Sequence, residues 1–149
     1  MRRTTLALLA VWFGLASTPL RASCAKSSLG QQFAGSTVVF VGRATAQQAE
    51  ARTRVGSGAG EGIDTVTTFA VEQMWKGPPE KEVRVMTCGG RLGDRAFTCS
   101  SSFRFHIGST YLVFASGEPL ETSECVPTAL VDRATQTVEW LAKQPATNR

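Results

Sequence analysis

Apolar and polar residues alternate along residues 65–75. Thr67, Phe69, Val71, Gln73 and Trp75 fall on one side, and Thr68, Ala70, Glu72 and Met74 on the other. A period of two with β-branched and aromatic residues predicts a long, half-buried strand. Lys76-Gly77-Pro78-Pro79 ends it, because proline brings no N–H to a ladder. Residues 37–45 (TVVFVGRAT) do not alternate, and their β-branched and aromatic content predicts a strand buried on both faces. Gly42 inside that run predicts a bend or bulge. Residues 82–87 form a third candidate strand, with Val83, Val85 and Thr87 inward and Arg84 outward. Residues 110–115 (TYLVFA) form a fourth; a turn at Ser116-Gly117-Glu118-Pro119 leads into a short last strand over 120–124.

The remaining segments read as helix or loop. Ser27 or Ser28 suits an N-cap, and Leu29 and Phe33 lie four apart, predicting a short helix over 27–33. After Pro127 the period lengthens. Leu130, Val131, Ala134, Val138 and Leu141 share one helical face, with Thr128 as the N-cap. Residues 47–62 are polar, with Gly56, Gly58, Gly60 and Gly62 alternating, and read as a flexible connection. Residues 88–102 read as loop, Phe103 and Phe105 as the start of another pairing, and residues 106–109 as a turn. The sum is a mainly β domain of about five strands, with one short helix early and one late. Closing such a sheet into a small barrel removes its exposed edges.

The first residues are an address rather than part of this fold. Arg2 and Arg3 precede an uncharged run over residues 6–16, Pro19 follows, and small residues stand at Ala22, Ser23 and Ala25. That order makes a secretory signal peptide. The run is too short for a mature bilayer span, which takes about 20 residues. Cleavage after Ala22 or after Ala25 both satisfy the small-residue pattern, and the second would remove Cys24. The expected organisation is a signal peptide over 1–22, one domain over 23–143 and a disordered tail over 144–149. The expected location is secreted or periplasmic.

Export changes the meaning of the charge. The chain of 149 residues carries a formal charge of +4, from 16 basic and 12 acidic residues. Arg2, Arg3 and Arg21 precede the cut, so thirteen basic residues remain against the same 12 acidic ones. A near-neutral exported domain gives no reason to expect a nucleic-acid partner.

Cys24, Cys88, Cys99 and Cys125 are an even set in an exported chain, which favours two disulfides. Three pairings are open. Cys88 and Cys99 flank a polar, Gly-rich stretch, so a local bridge is reasonable there. Cys24 with Cys125 would then tie the new N-terminus to the far end of the domain. No intrinsic metal site or cofactor is expected, because there is no Cys-x-x-Cys and His106 is the single histidine. No catalytic residue is expected either. Ser100-Ser101-Ser102 lack the surroundings of an activated nucleophile, and Glu80 and Glu82 flank Lys81 as a solvated start to a strand.

Four stretches in order carry a family resemblance. They are Cys24 with Phe33 nine positions on and Thr37-Val38-Val39-Phe40-Val41-Gly42; Val71-Glu72-Gln73-Met74-Trp75-Lys76-Gly77-Pro78; Gly108 with Tyr111-Leu112-Val113-Phe114; and Leu120 through Cys125. This set resembles the tissue inhibitors of metalloproteinases and their bacterial relatives, over most of the exported chain. The resemblance implies the netrin-like variant of the five-stranded OB barrel. It also implies a metalloendopeptidase inhibitor rather than an enzyme, with Ser23, Cys24 and Ala25 as the N-terminal wedge. A non-catalytic extracellular or envelope interaction module is the alternative, with another extracellular protein as its partner.

The resemblance assigns the cysteines as well. Cys24 resembles the family's second N-terminal cysteine, whose partner corresponds to Cys125. Cys99 resembles the partner of the family's first cysteine, but Ala22 stands where that first cysteine would be. Cys88 then looks like the substitute partner of Cys99. In the animal inhibitors the first cysteine's α-amine and carbonyl chelate the protease's zinc, a five-membered chelate on an open metal position. This chain has no Cys-x-Cys, so the amine would come from Ser23 or Cys24.

Overall fold

The computed structural model describes residues 24–54 and 60–144. The proposed signal peptide, Ser23 and residues 145–149 of the expected tail lie outside the described residues. Gln144 continues the turn that follows the last described helix, donating its N–H to the Leu141 carbonyl at 2.9 Å.

The architecture is mainly β. Strands β1 (Val38–Arg54), β2 (Gly60–Lys76), β3 (Glu82–Cys88), β6 (Thr110–Ala115) and β7 (Ala129–Leu130) form one antiparallel sheet in the order β3-β2-β1-β6-β7. Strands β4 (Gly90–Leu92) and β5 (Arg95–Phe97) make a separate small hairpin. Helix α1 (Leu29–Gly35) precedes the sheet and α2 (Thr135–Leu141) closes the described chain.

The sheet is open. Residues 120–122 bring its ends near each other, since Glu121 bridges both Met86 of β3 and Ser116 just beyond β6. These are isolated bridges, not a strand, so the short last strand expected over 120–124 does not form. The next donors go elsewhere: Glu124 N–H to Ser101 O and Val126 N–H to Ser123 O.

β6 and the first part of β1, residues 38–42, lie inside the sheet and are buried on both faces, which is why each reads as a continuous apolar run. Val38 and Phe40 join one apolar cluster, whereas Val39 and Val41 join the other. Tyr111 and Val113 likewise face the first cluster, Leu112 and Phe114 the second. The first cluster holds a chain of aromatic rings, with Phe69 to Phe105 and Phe105 to Tyr111 both edge-on at 4.9 Å. Phe103 and Phe105 thus serve the core from irregular chain rather than starting a strand. The second cluster lies under the two helices, through Leu29, Phe33, Val138 and Leu141.

The simple alternation expected along β2 breaks. Val41 faces Gln73 but Gly42 faces Val71, and Val39 faces Lys76 but Phe40 faces Met74. Glu72 and Trp75 are therefore extra residues on β2, each reversing the side-chain phase. Phe69, Val71 and Met74 pack into the first cluster, while Trp75 packs into the second. Gly42 sits at one of these shifts, as its position in the sequence suggests. A Cβ there would stand 2.8 Å from the Ala70 carbonyl oxygen and 3.1 Å from the Phe40 ring.

The polar stretch 47–62 is mostly strand, since β1 and β2 stay paired out to Arg54 and Gly60. Side-chain bonds across and along the hairpin offset its lack of apolar burial. Gln47 donates to Thr67 Oγ1 at 3.1 Å, and Arg52 meets Asp64 at 3.3 Å and also Glu121. The Glu121 carboxylate chiefly, and then Asp64, hold the Arg52 guanidinium in its charged form beyond its ordinary range, against the opposing cost of burial.

Thr128 is not a helix cap. Its buried hydroxyl accepts from Phe114 N–H at 2.9 Å, donates to Phe114 C=O at 3.2 Å, and lies 2.9 Å from the Thr122 hydroxyl. Residues 129–130 then pair with β6, residues 131–133 form a 3-10 turn, and helix begins only at Thr135. The apolar face still reaches the core: Val131, Ala134, Val138 and Leu141 all join the second cluster, and Leu130 packs against the first.

Candidate functional site

The expected wedge begins at the edge of the described chain. Cys24 is disulfide-bonded to Cys125, with Cα atoms 5.2 Å apart. Ala25 and Lys26 follow, exposed, and Ser23 lies outside the described residues. The segment then enters α1 through a capping box: Ser28 Oγ accepts from Gln31 N–H at 3.2 Å, and Gln31 Oε1 accepts from Ser28 N–H at 2.8 Å. A reciprocal box of this kind satisfies two of the helix's unpaired donors.

Gln32 adds a further tie. Its side-chain amide donates to Ser27 Oγ and, at 3.4 Å, to the Cys125 carbonyl. The short exposed segment is thus held from both sides, by a covalent bond at Cys24 and by a hydrogen-bonded turn at 27–32. A shallow groove of about 460 Å³ runs beside it, lined by Cys24, Lys26, Leu29, Val126, Pro127 and Thr137 among others.

The second disulfide joins Cys88 to Cys99, with Cα atoms 5.8 Å apart. It anchors the chain leaving the β4–β5 hairpin to the end of β3. The residues just after it come to the first bridge, because Glu124 N–H donates to Ser101 O at 3.1 Å. Two separate stretches, 24–26 and 99–102, therefore converge on residues 124–125. This convergence is invisible in linear spacing. Its only sequence signal is that each stretch carries a cysteine.

The motif Trp75-Lys76-Gly77-Pro78 is structural. Lys76 Nζ donates to the Phe33 and Ala34 carbonyls, both at 2.8 Å, and satisfies the C-terminal end of α1. Gly77 has φ +104, and a Cβ on it would come within 2.8 Å of Val38 Cγ1. The Lys76 bonds fix the end of α1 against the sheet, and the close fit at Gly77 holds the start of β1 beside it.

Met74 and Trp75 are core rather than an exposed binding spot, as expected. The residues 106–109 form the expected turn: Ser109 N–H reaches His106 O at 3.2 Å, and Gly108 N–H reaches Ala44 O at 2.7 Å. Among the described residues, no group of three or more His, Cys, Asp or Glu is arranged to hold a metal ion. No helix among them is long and apolar enough to cross a membrane. Two disulfides fit an extracellular or periplasmic protein.

No protein-family model matches this chain, and neither does any curated protein.

Proposed function

We propose that the chain is an exported domain of the netrin-like, five-stranded OB-barrel type that inhibits a zinc metalloendopeptidase through its disulfide-tethered N-terminus. The observation that carries the reading is the Cys24–Cys125 bond beside an exposed 24–26 segment. A pre-ordered segment loses less conformational freedom when it enters a cleft, so more of its contact energy appears as affinity. The amine supplied by Ser23 or Cys24, with the adjoining carbonyl, would take the open position of the protease's zinc. The convergence of 99–102 on the same disulfide supports a docking ridge of two strands of chain rather than a single loose end. The proposed barrel is supported by the near approach of β3 and β6 through Glu121.

A second reading has a specific observation in its favour. Cys99 is bonded to Cys88 and not to an N-terminal cysteine, so the segment carries one tether where the animal inhibitors carry two. In this reading the same exported barrel is a non-catalytic interaction module that never engages zinc.

Intact mass fixes the mature N-terminus first. The purified oxidised protein is then titrated against zinc endopeptidases, with its N-terminus free and acetylated. Inhibition by the free form and its loss on acetylation support chelation. Equal inhibition by both forms rules chelation out, and no inhibition by either leaves the interaction module.

A further inference from the structure

A polar cavity of about 730 Å³ lies between the β4–β5 hairpin with the following chain on one side and the sheet on the other. Its floor crosses three strands through Gln47 of β1, Thr65 of β2 and Thr87 of β3. The protons of these groups are already committed. Gln47 Nε2 donates to Thr67 Oγ1 and to Phe105 O, both at 3.1 Å. Thr65 Oγ1 donates to Gly89 O at 2.7 Å, and Thr87 Oγ1 to Thr65 O at 3.4 Å. What remains for a ligand is lone pairs: the Gln47 Oε1 and the two threonine oxygens. A floor of fixed neutral acceptors suits a molecule that brings its own hydroxyl donors.

The rim has the opposite character. Arg91 and Arg104 line it, and neither makes an ion pair among the described residues, whereas Arg52, Arg84 and Arg95 all do. An uncommitted guanidinium beside a cavity is a ready fork for a carboxylate or phosphate. Phe97 and Phe103 add apolar surface to the lining. The volume falls within the range of small-molecule sites.

We infer that this cavity binds a small polyhydroxylated anion, a sugar acid or sugar phosphate, with hydroxyls on the Gln47–Thr65–Thr87 floor and the anionic group at Arg91 and Arg104. Glu124 also lines the cavity, and repulsion from its carboxylate leaves Arg91 and Arg104 as the place for the ligand's anionic group. The inference does not rest on the inhibitory reading, since none of these residues belongs to the Cys24 segment.

The test follows backbone amide shifts of the oxidised protein during titration with glucuronate, glucose 6-phosphate, glucose, inorganic phosphate and glutamate. Saturable shifts at Gln47, Thr65 and Thr87 are expected with either sugar anion, and the preferred one identifies the anionic group. Glucose should bind about tenfold more weakly or worse, as loss of charge-assisted hydrogen bonds requires. The double variant Arg91→Ala, Arg104→Ala should weaken both sugar anions by about tenfold or more and leave glucose unchanged. Both side chains are exposed, so this variant folds as the parent does. Gln47→Leu should weaken glucose and the sugar anions alike. Phosphate or glutamate binding as tightly as the sugar anions overturns the inference. So does an unchanged affinity in the double arginine variant, or the absence of saturable shifts.

Discussion

Lys76 Nζ stands 2.8 Å from the Phe33 carbonyl oxygen and 5.4 Å from the centre of the Phe33 ring. One ammonium thus closes the end of α1 and covers the aromatic residue that packs α1 onto the sheet. A cation suits a helix C-terminus, where unpaired carbonyls gather partial negative charge.

Replacing Lys76 by methionine keeps the aliphatic stem and removes the donor. Two carbonyls at the end of α1 lose a charged partner, so the variant should lose about 1–2 kcal/mol of stability. Urea unfolding of the two proteins measures this directly. An unchanged midpoint would mean that the ammonium contributes nothing to holding α1.

Thr128→Val is nearly isosteric, yet it should cost about 2–3 kcal/mol. It leaves the Phe114 N–H and the Thr122 hydroxyl buried beside a methyl group, and stranding such groups carries their full desolvation penalty. Thr128→Ser keeps the hydroxyl and should cost less than the valine variant. If the valine protein unfolds at the same denaturant concentration as the parent, water or another group has taken over the hydroxyl's bonds.

Breaking the Cys24–Cys125 bond by the double change to serine frees the ends of a loop 101 residues apart in sequence. In the chain-entropy picture this costs about 4–5 kcal/mol. The same change should abolish inhibition before it abolishes the fold, because the exposed 24–26 segment loses its covalent anchor. Thermal unfolding and protease inhibition on one sample separate the two effects. Retained inhibition by a folded double-serine protein would sink the tethered-wedge reading.

Strand and helix identities were legible where the side chains meet the core. The apolar runs at 38–41 and 111–115 are strands because both their faces are covered. Composition misled at 47–62, where polar side chains pair across a hairpin instead of burying apolar surface. It misled at Thr128 too, where a hydroxyl that suits a helix cap is taken by the backbone of a neighbouring strand. Periodicity misled in β2, because the extra residue Glu72 reverses the phase and sends Trp75 away from Phe69. The cysteines marked the N-terminal site, but its second stretch is brought in by a main-chain bond from Glu124 to Ser101. The polar cavity left no signature at all, since its floor draws one residue from each of three strands.

The central position of β1 and β6 has a consequence for how the molecule comes apart. Each contributes alternate side chains to both apolar clusters, and β2 changes from one cluster to the other partway along its length. The helices therefore have no separate layer beneath them that could peel away while the aromatic core stays intact. Loosening either cluster displaces strands the other depends on, so unfolding should be a single cooperative event with coincident transitions for the fluorescence of Trp75 and Trp140 and for sheet content.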